Sequence, residues 1–504
     1  MKSTPRLWFA AAAVACLAGL YLSGLSWSGL LSADEPRYAA IARAMAETGD
    51  WITPRLWGNP WFEKPPLLYW LAATGFELGL GPELAPRLPV ALLSLGFLLF
   101  CFFETRRLFG ERAAAFSAAI LATSAGWIGF SYVAVTDLPL AACFSAFLLL
   151  AAEWVETGRK DRLSWAFACL GLAMLAKGLV PLALSLPVFW FGRSRLGDLL
   201  RPSVVGSFAV VALPWYLLCY ARNQWPFFHE FILVHHLRRF STDSLQHVQP
   251  WWFYLPVLAV ALVPWTPLVW LAARRGWPSR SSERLLWATV LFGLIFFSAA
   301  TNKLPGYLLP LLPACAVGLG VALDRSVRAV IPFAASAAAL AIAIPLAMLL
   351  PDALADGLSR AGQPPWGGGA ALAVAAAGLC GWLESRGRRL AAFSAIAGGT
   401  LIAVGMLKIT LLPRLDQSVS ARPLATQVAP IANRVCIEHW VNRSIRYGIE
   451  YYIAQPLPLC EDEPRLWRIT RYPHGDPVLA EAGPEPSTTQ TGEDAAPAVP
   501  KYYK

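Results

Sequence analysis

Residues 34–66 read DEPRYAAIARAMAETGDWITPRLWGNPWFEKPP. The apolar run before them, Leu7 to about Trp27, is long enough to cross a bilayer and offers no small-residue cleavage site, so it reads as a retained first span rather than a signal peptide. Lys2 and Arg6 ahead of it put the N-terminus on the cytoplasmic side. Within its apolar runs the first half of the chain is almost uncharged, yet Asp34, Glu35, Arg37, Glu63 and Lys64 crowd into this one stretch. Charged side chains are costly at membrane depth and gather where water, headgroup or substrate meets the protein. The stretch is therefore the first place to look for chemistry.

Composition agrees with a membrane setting. Hydrophobic residues make up 56% of 504, charged residues only 15%, and there are 22 Trp, which is too apolar for a soluble protein of this length. The formal charge of +10 has a local explanation in short cytoplasmic loops, and a nucleic-acid partner is not expected. Further apolar runs at roughly 84–104, 113–133, 138–155, 163–177, 179–191, 203–220, 250–272, 285–300, 306–323, 329–350, 366–383 and 391–412 bring the expected total to about thirteen spans. Alternate connections carry Arg106, Arg107 and Arg112; Arg159, Lys160 and Arg162; Arg193, Arg195 and Arg201; Arg274, Arg275, Arg280 and Arg284; Arg325 and Arg328; and Arg386, Arg388 and Arg389. All fall on the side of the N-terminus, as the positive-inside rule requires, and an odd count sends the C-terminus to the other face. Merging the two short spans 163–177 and 179–191 would break this pattern.

The expected architecture is an all-α polytopic membrane domain over 1–412, a small α/β domain over 413–472 and a Pro-, Glu-, Ser- and Thr-rich disordered tail over 473–504. The second face then receives 32–83, Asp137, Lys177, the connection 221–249, the loop from Thr301 to Tyr307, the loop 351–365 and everything after Pro413. Within 32–83, Ala39, Ile41, Ala42, Met45 and Ala46 recur at helical spacing, as in an amphipathic helix on the membrane surface. Gly49, Pro54, Gly58 and Pro60 then impose turns. In the small domain, Arg434–Ile437 and Gly448–Ile453 read as strands, or as a strand and a helix. Seven of the nine Cys fall in spans, whereas Cys436 and Cys460 share the soluble segment. If that segment is extracytoplasmic they can form a disulfide, the alternative being two buried thiols.

The 34–66 stretch, Thr136-Asp137, Leu175-Ala176-Lys177-Gly178, FILVHHLRRF and NKLPGYLLP together, in order over roughly residues 7–320, resemble the lipid A aminoarabinose transferases, a branch of the bacterial membrane glycosyltransferases related to protein O-mannosyltransferases. The resemblance implies a GT-C fold in the bacterial inner membrane, with active site and C-terminus periplasmic. It implies transfer of a sugar, such as 4-amino-4-deoxy-L-arabinose, from a polyprenyl (undecaprenyl) phosphate to lipid A or another envelope glycolipid. Transfer to protein Ser or Thr is the second reading, and a monomer is expected. By the same likeness, Lys64 of the FEKP motif and Arg37 bind the donor phosphate, where a cation stabilises the departing charge; lipid-headgroup snorkelling is the competing account of both. Asp34 and Asp137 are the candidate catalytic carboxylates, with helix N-capping as the competing account. Should the acceptor be a phosphate, Asp34 would orient rather than deprotonate it. Lys303 and Tyr307 are further candidates for the donor phosphate. Glu63 and His236 match positions that hold a divalent metal, zinc, in some relatives, although two protein ligands leave such a site open and His229, His235 and His247 are nearby in sequence. One departure is Trp61, where the family often has a Tyr before the Phe of FEKP, so a hydroxyl contact to the donor is lost. A flippase or transporter is the alternative from another class, but its charges would be expected within the spans rather than in loops on one face.

Overall fold

The computed structural model describes residues 14–238, 249–471 and 477–481, with the side chains of 235–238 and 471 outside that description. The chain is mostly helical. Among the described residues, seven helices are long and apolar enough to cross a membrane, or eight if Trp251–Ala261 and Thr266–Arg274, bent by 109°, make one span. Leu163–Lys177, Val180–Phe191 and Gly369–Ser385 are shorter apolar helices.

The expected thirteen straight spans are modified by local sequence. The run 113–133 is two helices, Glu111–Ala122 and Ala125–Phe130, interrupted at Thr123-Ser124. Thr123 Oγ1 accepts the indole N–H of Trp265 at 2.8 Å, and Val263 O accepts the amide of Ala125 at 2.9 Å. The break in 113–133 thus packs against the break in 250–272, and each supplies polar groups that the other's interrupted backbone needs.

Ion pairs define one end of the bundle. Arg162 Nη2 meets Glu104 at 2.7 Å, Lys160 meets Asp198 at 2.6 Å, Arg280 meets Glu156 at 3.2 Å and Arg325 meets Glu283 at 2.7 Å. Arg112 reaches Asp324 at 3.4 Å, and Arg389, held by Glu384 at 2.6 Å, donates to Ser326 O at 2.8 Å. All six basic connections are therefore stitched to one another on one face. Lys177, at the far end of Leu163–Lys177, pairs instead with Asp137 at 2.6 Å. The short segments 163–177 and 180–191 consequently run away from the basic face and back, as the charge pattern required.

The opposite face is built by residues 29–83 and the C-terminal domain. Helix Asp34–Thr48 is largely buried, with Tyr38, Ala39, Ile41, Ala42 and Met45 inside the protein, so the expected surface-lying amphipathic helix is instead sandwiched by protein. A second helix, Leu67–Glu77, packs beside it. Glu35 and Arg87, both fully buried, pair at 2.7 and 2.8 Å. Arg87 also donates to Leu25 O, Ser28 O and Gly29 O, while Glu35 accepts the amides of Leu31 and Ala134.

The C-terminal domain has a three-stranded sheet of Val435–Ile437, Trp467–Arg471 and Pro477–Glu481, parallel then antiparallel, with helices Arg422–Val428 and Arg443–Ile453. Cys436 and Cys460 are joined by a disulfide. The last strand falls within the expected disordered tail. Pro477 opens an edge strand, where its missing N–H costs no ladder bond, and Leu479 packs on the domain's apolar cluster, so ordered structure continues to Glu481.

Candidate active site

The turn after helix Asp34–Thr48 and the short hairpin Arg55–Leu56/Asn59–Pro60 fold residues 61–64 back onto the helix's first turn. Arg37 Nη2 lies against Asp34 Oδ1 and 2.9 Å from Glu63 Oε2; Glu63 Oε1 is 3.2 Å from Lys64 Nζ. Asp34, Arg37, Glu63 and Lys64 thus form one cluster, and Arg37 and Lys64 retain only 4% and 9% exposure. Burial disfavours the Arg37 charge, but Glu63, Tyr38 and Asp34 outweigh it and hold the guanidinium above its ordinary pKa. Burial, reinforced by Asp34 and Glu63, pushes the Tyr38 phenol well up, and burial, Glu63 and Asp34 do the same to Tyr69. Both hydroxyls stay protonated.

Three aromatic rings, Tyr38, Trp61 and Tyr447, each stand 5.4 Å from the Arg37 guanidinium. Among the described residues, Arg37 Nε, Trp61 Nε1 and Tyr69 Oη are buried without a hydrogen-bond partner. A buried donor left unmet is costly, and a group of them beside two cations suits an oxygen-rich anionic ligand.

The other expected residues gather nearby. Asp137 opens helix Asp137–Thr157 and pairs with Lys177, whose ammonium lies 4.6 Å from the ring of Tyr307. The amide of Ala134, three residues before Asp137, donates to Glu35, the neighbour of Asp34, so both clusters sit on the same side of the bundle. Neither Asp34 nor Asp137 occupies an N-cap position or makes a capping hydrogen bond: the N-caps are Ala33 and Thr136, and both carboxylates face cations. Lys303 is buried and donates to Gln249 O at 2.9 Å and Ala300 O at 2.6 Å, which ties the start of its loop to the end of the connection 221–249.

His236 belongs to the π-helix His229–Arg238, but its side chain lies outside the described residues. Each carboxylate oxygen of Glu63 already faces a cation, Arg37 or Lys64, which makes it a poor seat for a divalent ion. Sequence reasoning passed over Lys177 as a site residue and Arg87 altogether. The available signal was the same in both: an isolated basic residue in an otherwise apolar run, which demands a buried partner.

The model of the dolichyl-phosphate-mannose-protein mannosyltransferase family matches residues 63–217. Undecaprenyl phosphate-alpha-4-amino-4-deoxy-L-arabinose arabinosyl transferase 2 of Pseudomonas fluorescens is 35% identical over 347 residues, covering 65% of this chain and 58% of that protein. The corresponding transferase of Pseudomonas aeruginosa is 36% identical over 329 residues, covering 61% and 58%. The match thus spans less than two thirds of the length of these curated relatives. In structure, the chain is similar to ArnT from Cupriavidus metallidurans bound to undecaprenyl phosphate, with a TM-score of 0.72, 25% identity, and 91% of this chain and 86% of that one covered.

Proposed function

We propose that the chain is a GT-C membrane glycosyltransferase that moves a sugar from a polyprenyl phosphate to an envelope glycolipid such as lipid A, a reading supported by its similarity to the aminoarabinose transferases in sequence and in fold. The observation that carries this reading is the set of buried, unmet donors on Arg37, Trp61 and Tyr69 beside the ammonium of Lys64. A polyprenyl phosphate supplies the matching anionic oxygens. Undecaprenyl phosphate is what the ArnT of Cupriavidus metallidurans holds.

In the reaction the bond between the anomeric carbon and the phosphate oxygen breaks, its electron pair leaving on the phosphate, and a bond from the same carbon to the acceptor oxygen forms. Arg37 and Lys64 stabilise the phosphate as its charge grows, which lowers the barrier because that charge is larger in the transition state than in the bound donor. Asp34, the more open carboxylate of its cluster with 42% side-chain exposure, takes the proton of an acceptor hydroxyl or, where the acceptor is itself a phosphate, orients it. Asp137, steadied by Lys177, and Tyr307 line the same side and contact the sugar or donor phosphate. Transfer to protein Ser or Thr is the second reading, favoured by the mannosyltransferase family match over 63–217.

We place the protein in the bacterial inner membrane, with the ion-paired basic face cytoplasmic and the Asp34 cluster and C-terminal domain periplasmic, supported by the charge asymmetry of the two faces. Elemental analysis of the purified protein tests the divalent ion expected at Glu63 and His236: the two cations on Glu63 argue for none, and stoichiometric zinc that is lost in His236→Ala would reinstate it. Mass spectrometry of envelope lipids and proteins with and without the gene tests the function itself. A glycolipid that loses one sugar upon deletion is the expected result, and an unchanged lipid profile would remove this reading.

A further inference from the structure

The ring of Tyr447 comes from the C-terminal domain, more than four hundred residues away in sequence from the guanidinium it faces. Its placement is not loose. Helix Arg443–Ile453 lies on helix Asp34–Thr48 and is held by groups one turn further along. Tyr451 O accepts Arg43 Nη1 at 2.9 Å, the Tyr451 ring lies 4.1 Å from the Arg43 guanidinium, and Tyr451 Oη donates to Pro82 O at 2.6 Å. Tyr452 Oη donates to Glu83 at 3.0 Å and accepts the amide of Leu30 at 3.0 Å. Arg422 ties Asp416 at 2.7 Å and Glu83 at 3.1 Å to the Ser26 carbonyl at 3.1 Å. Behind the helix, a Cβ on Gly448 would stand 2.5 Å from Ala421, so the helix is seated too closely for any larger residue there. Residues 447 and 451 lie four apart and so share a face; Tyr451 takes Arg43 as Tyr447 takes Arg37.

We propose that Tyr447 is a positioning residue of the active site: its ring fixes the Arg37 guanidinium for the lipid phosphate, and the C-terminal domain is thereby a working part of the site. The inference rests on the donor-phosphate role of Arg37. A guanidinium whose Nη2 serves Asp34 and Glu63 at once must hold one orientation to leave Nε free for a ligand, and a ring 5.4 Å away resists its rotation.

The test is binding of undecaprenyl phosphate to the full-length protein in nanodiscs, followed by tryptophan fluorescence, with sugar transfer assayed in parallel. Tyr447→Phe keeps the ring and should stay within about twofold of the wild-type Kd, whereas Tyr447→Leu should weaken binding by about fivefold to tenfold, the range of an exposed to half-buried cation–π contact. In an Arg37→Lys background, Tyr447→Leu should add less than about twofold, since the partner geometry has already gone. Wild-type affinity in Tyr447→Leu, equal losses in the Phe and Leu variants, or full additivity with Arg37→Lys would each overturn the proposal. Should Tyr447→Leu insert or fold poorly, Tyr447→Met, a flexible gap-filler without a ring, takes its place with the same expectation. Normal phosphate binding in a wild type that transfers no sugar would count against the sugar-transfer reading and leave this one standing.

Discussion

Asp34 and Glu35 are adjacent acids with opposite duties. Glu35 is sealed in with Arg87 and two backbone amides, whereas Asp34 shares Arg37 and reaches solvent. Asp34→Asn keeps size and shape, so a properly inserted variant should melt near the wild type yet lose about a hundredfold or more in turnover, the usual weight of a general base. Glu35→Gln leaves Arg87 buried with half its pairing, and such broken buried pairs cost about 3–5 kcal/mol. Its signature should be a lowered melting temperature, read by detergent-solubilised thermal shift. Equal, small effects of both substitutions on turnover would remove Asp34 from the reaction. Lys64→Ala should abolish transfer while membrane insertion is normal, measured as product in vesicles supplied with donor and acceptor. The charge-dense first loop was legible because charge in an apolar chain is conspicuous. The partner of each charge was not, since Lys177 and Arg87 find theirs 40 and 52 residues away.

At the scale of elements, the sequence located most helices but not their breaks. Periodicity reports an apolar run and is blind to a fold-back such as the one at residues 262–265, which is fixed by Trp265 and Val263 bonding to the neighbouring segment. Helix Leu67–Glu77 went unseen because a mostly apolar stretch of eleven residues inside a polar loop is too short to read as a span. The disulfide was legible, as only two cysteines lie outside the apolar runs. It closes a separation of 24 residues, about 3 kcal/mol in the chain-entropy picture. Cys436→Ser with Cys460→Ser should therefore lower the stability of the C-terminal domain while the bundle's helical signal persists, checked by limited proteolysis of the two regions. Glu450 gives the same domain a pH dependence. Burial raises its pKa above 4.5, although Arg446 and the Leu457 amide pull the other way. An acid raised on folding holds its proton more firmly in the folded state. Its contribution is thus fully present below the unfolded value and is lost as pH rises through the folded one. Glu450→Gln should flatten that decline in a thermal-shift series starting near pH 4.5.

For the whole molecule, the strongest sequence signal was the alternation of basic connections, and its structural counterpart is a continuous web of ion pairs at one end of the bundle. The sequence could not reveal the acids of that web, since Glu104, Glu156, Glu283 and Glu384 look like isolated blemishes in helices until their partners arrive from elsewhere. The sidedness predicts a labelling pattern: in intact cells a membrane-impermeant maleimide should modify Ser444→Cys and spare Arg328→Cys, and the reverse pattern would invert the proposed orientation. The seam between helix Arg443–Ile453 and helix Asp34–Thr48 also sets a timetable for biogenesis. Arg37 and Lys64 leave the ribosome early together with Tyr38 and Trp61, but the third ring beside Arg37, that of Tyr447, is made only after the spans that precede it. A nascent chain arrested before residue 443 would carry all the charged groups of the first loop without the helix that packs on them. If Tyr447 positions Arg37 as proposed, competence to handle a lipid phosphate would thus be withheld until the C-terminal domain has been made.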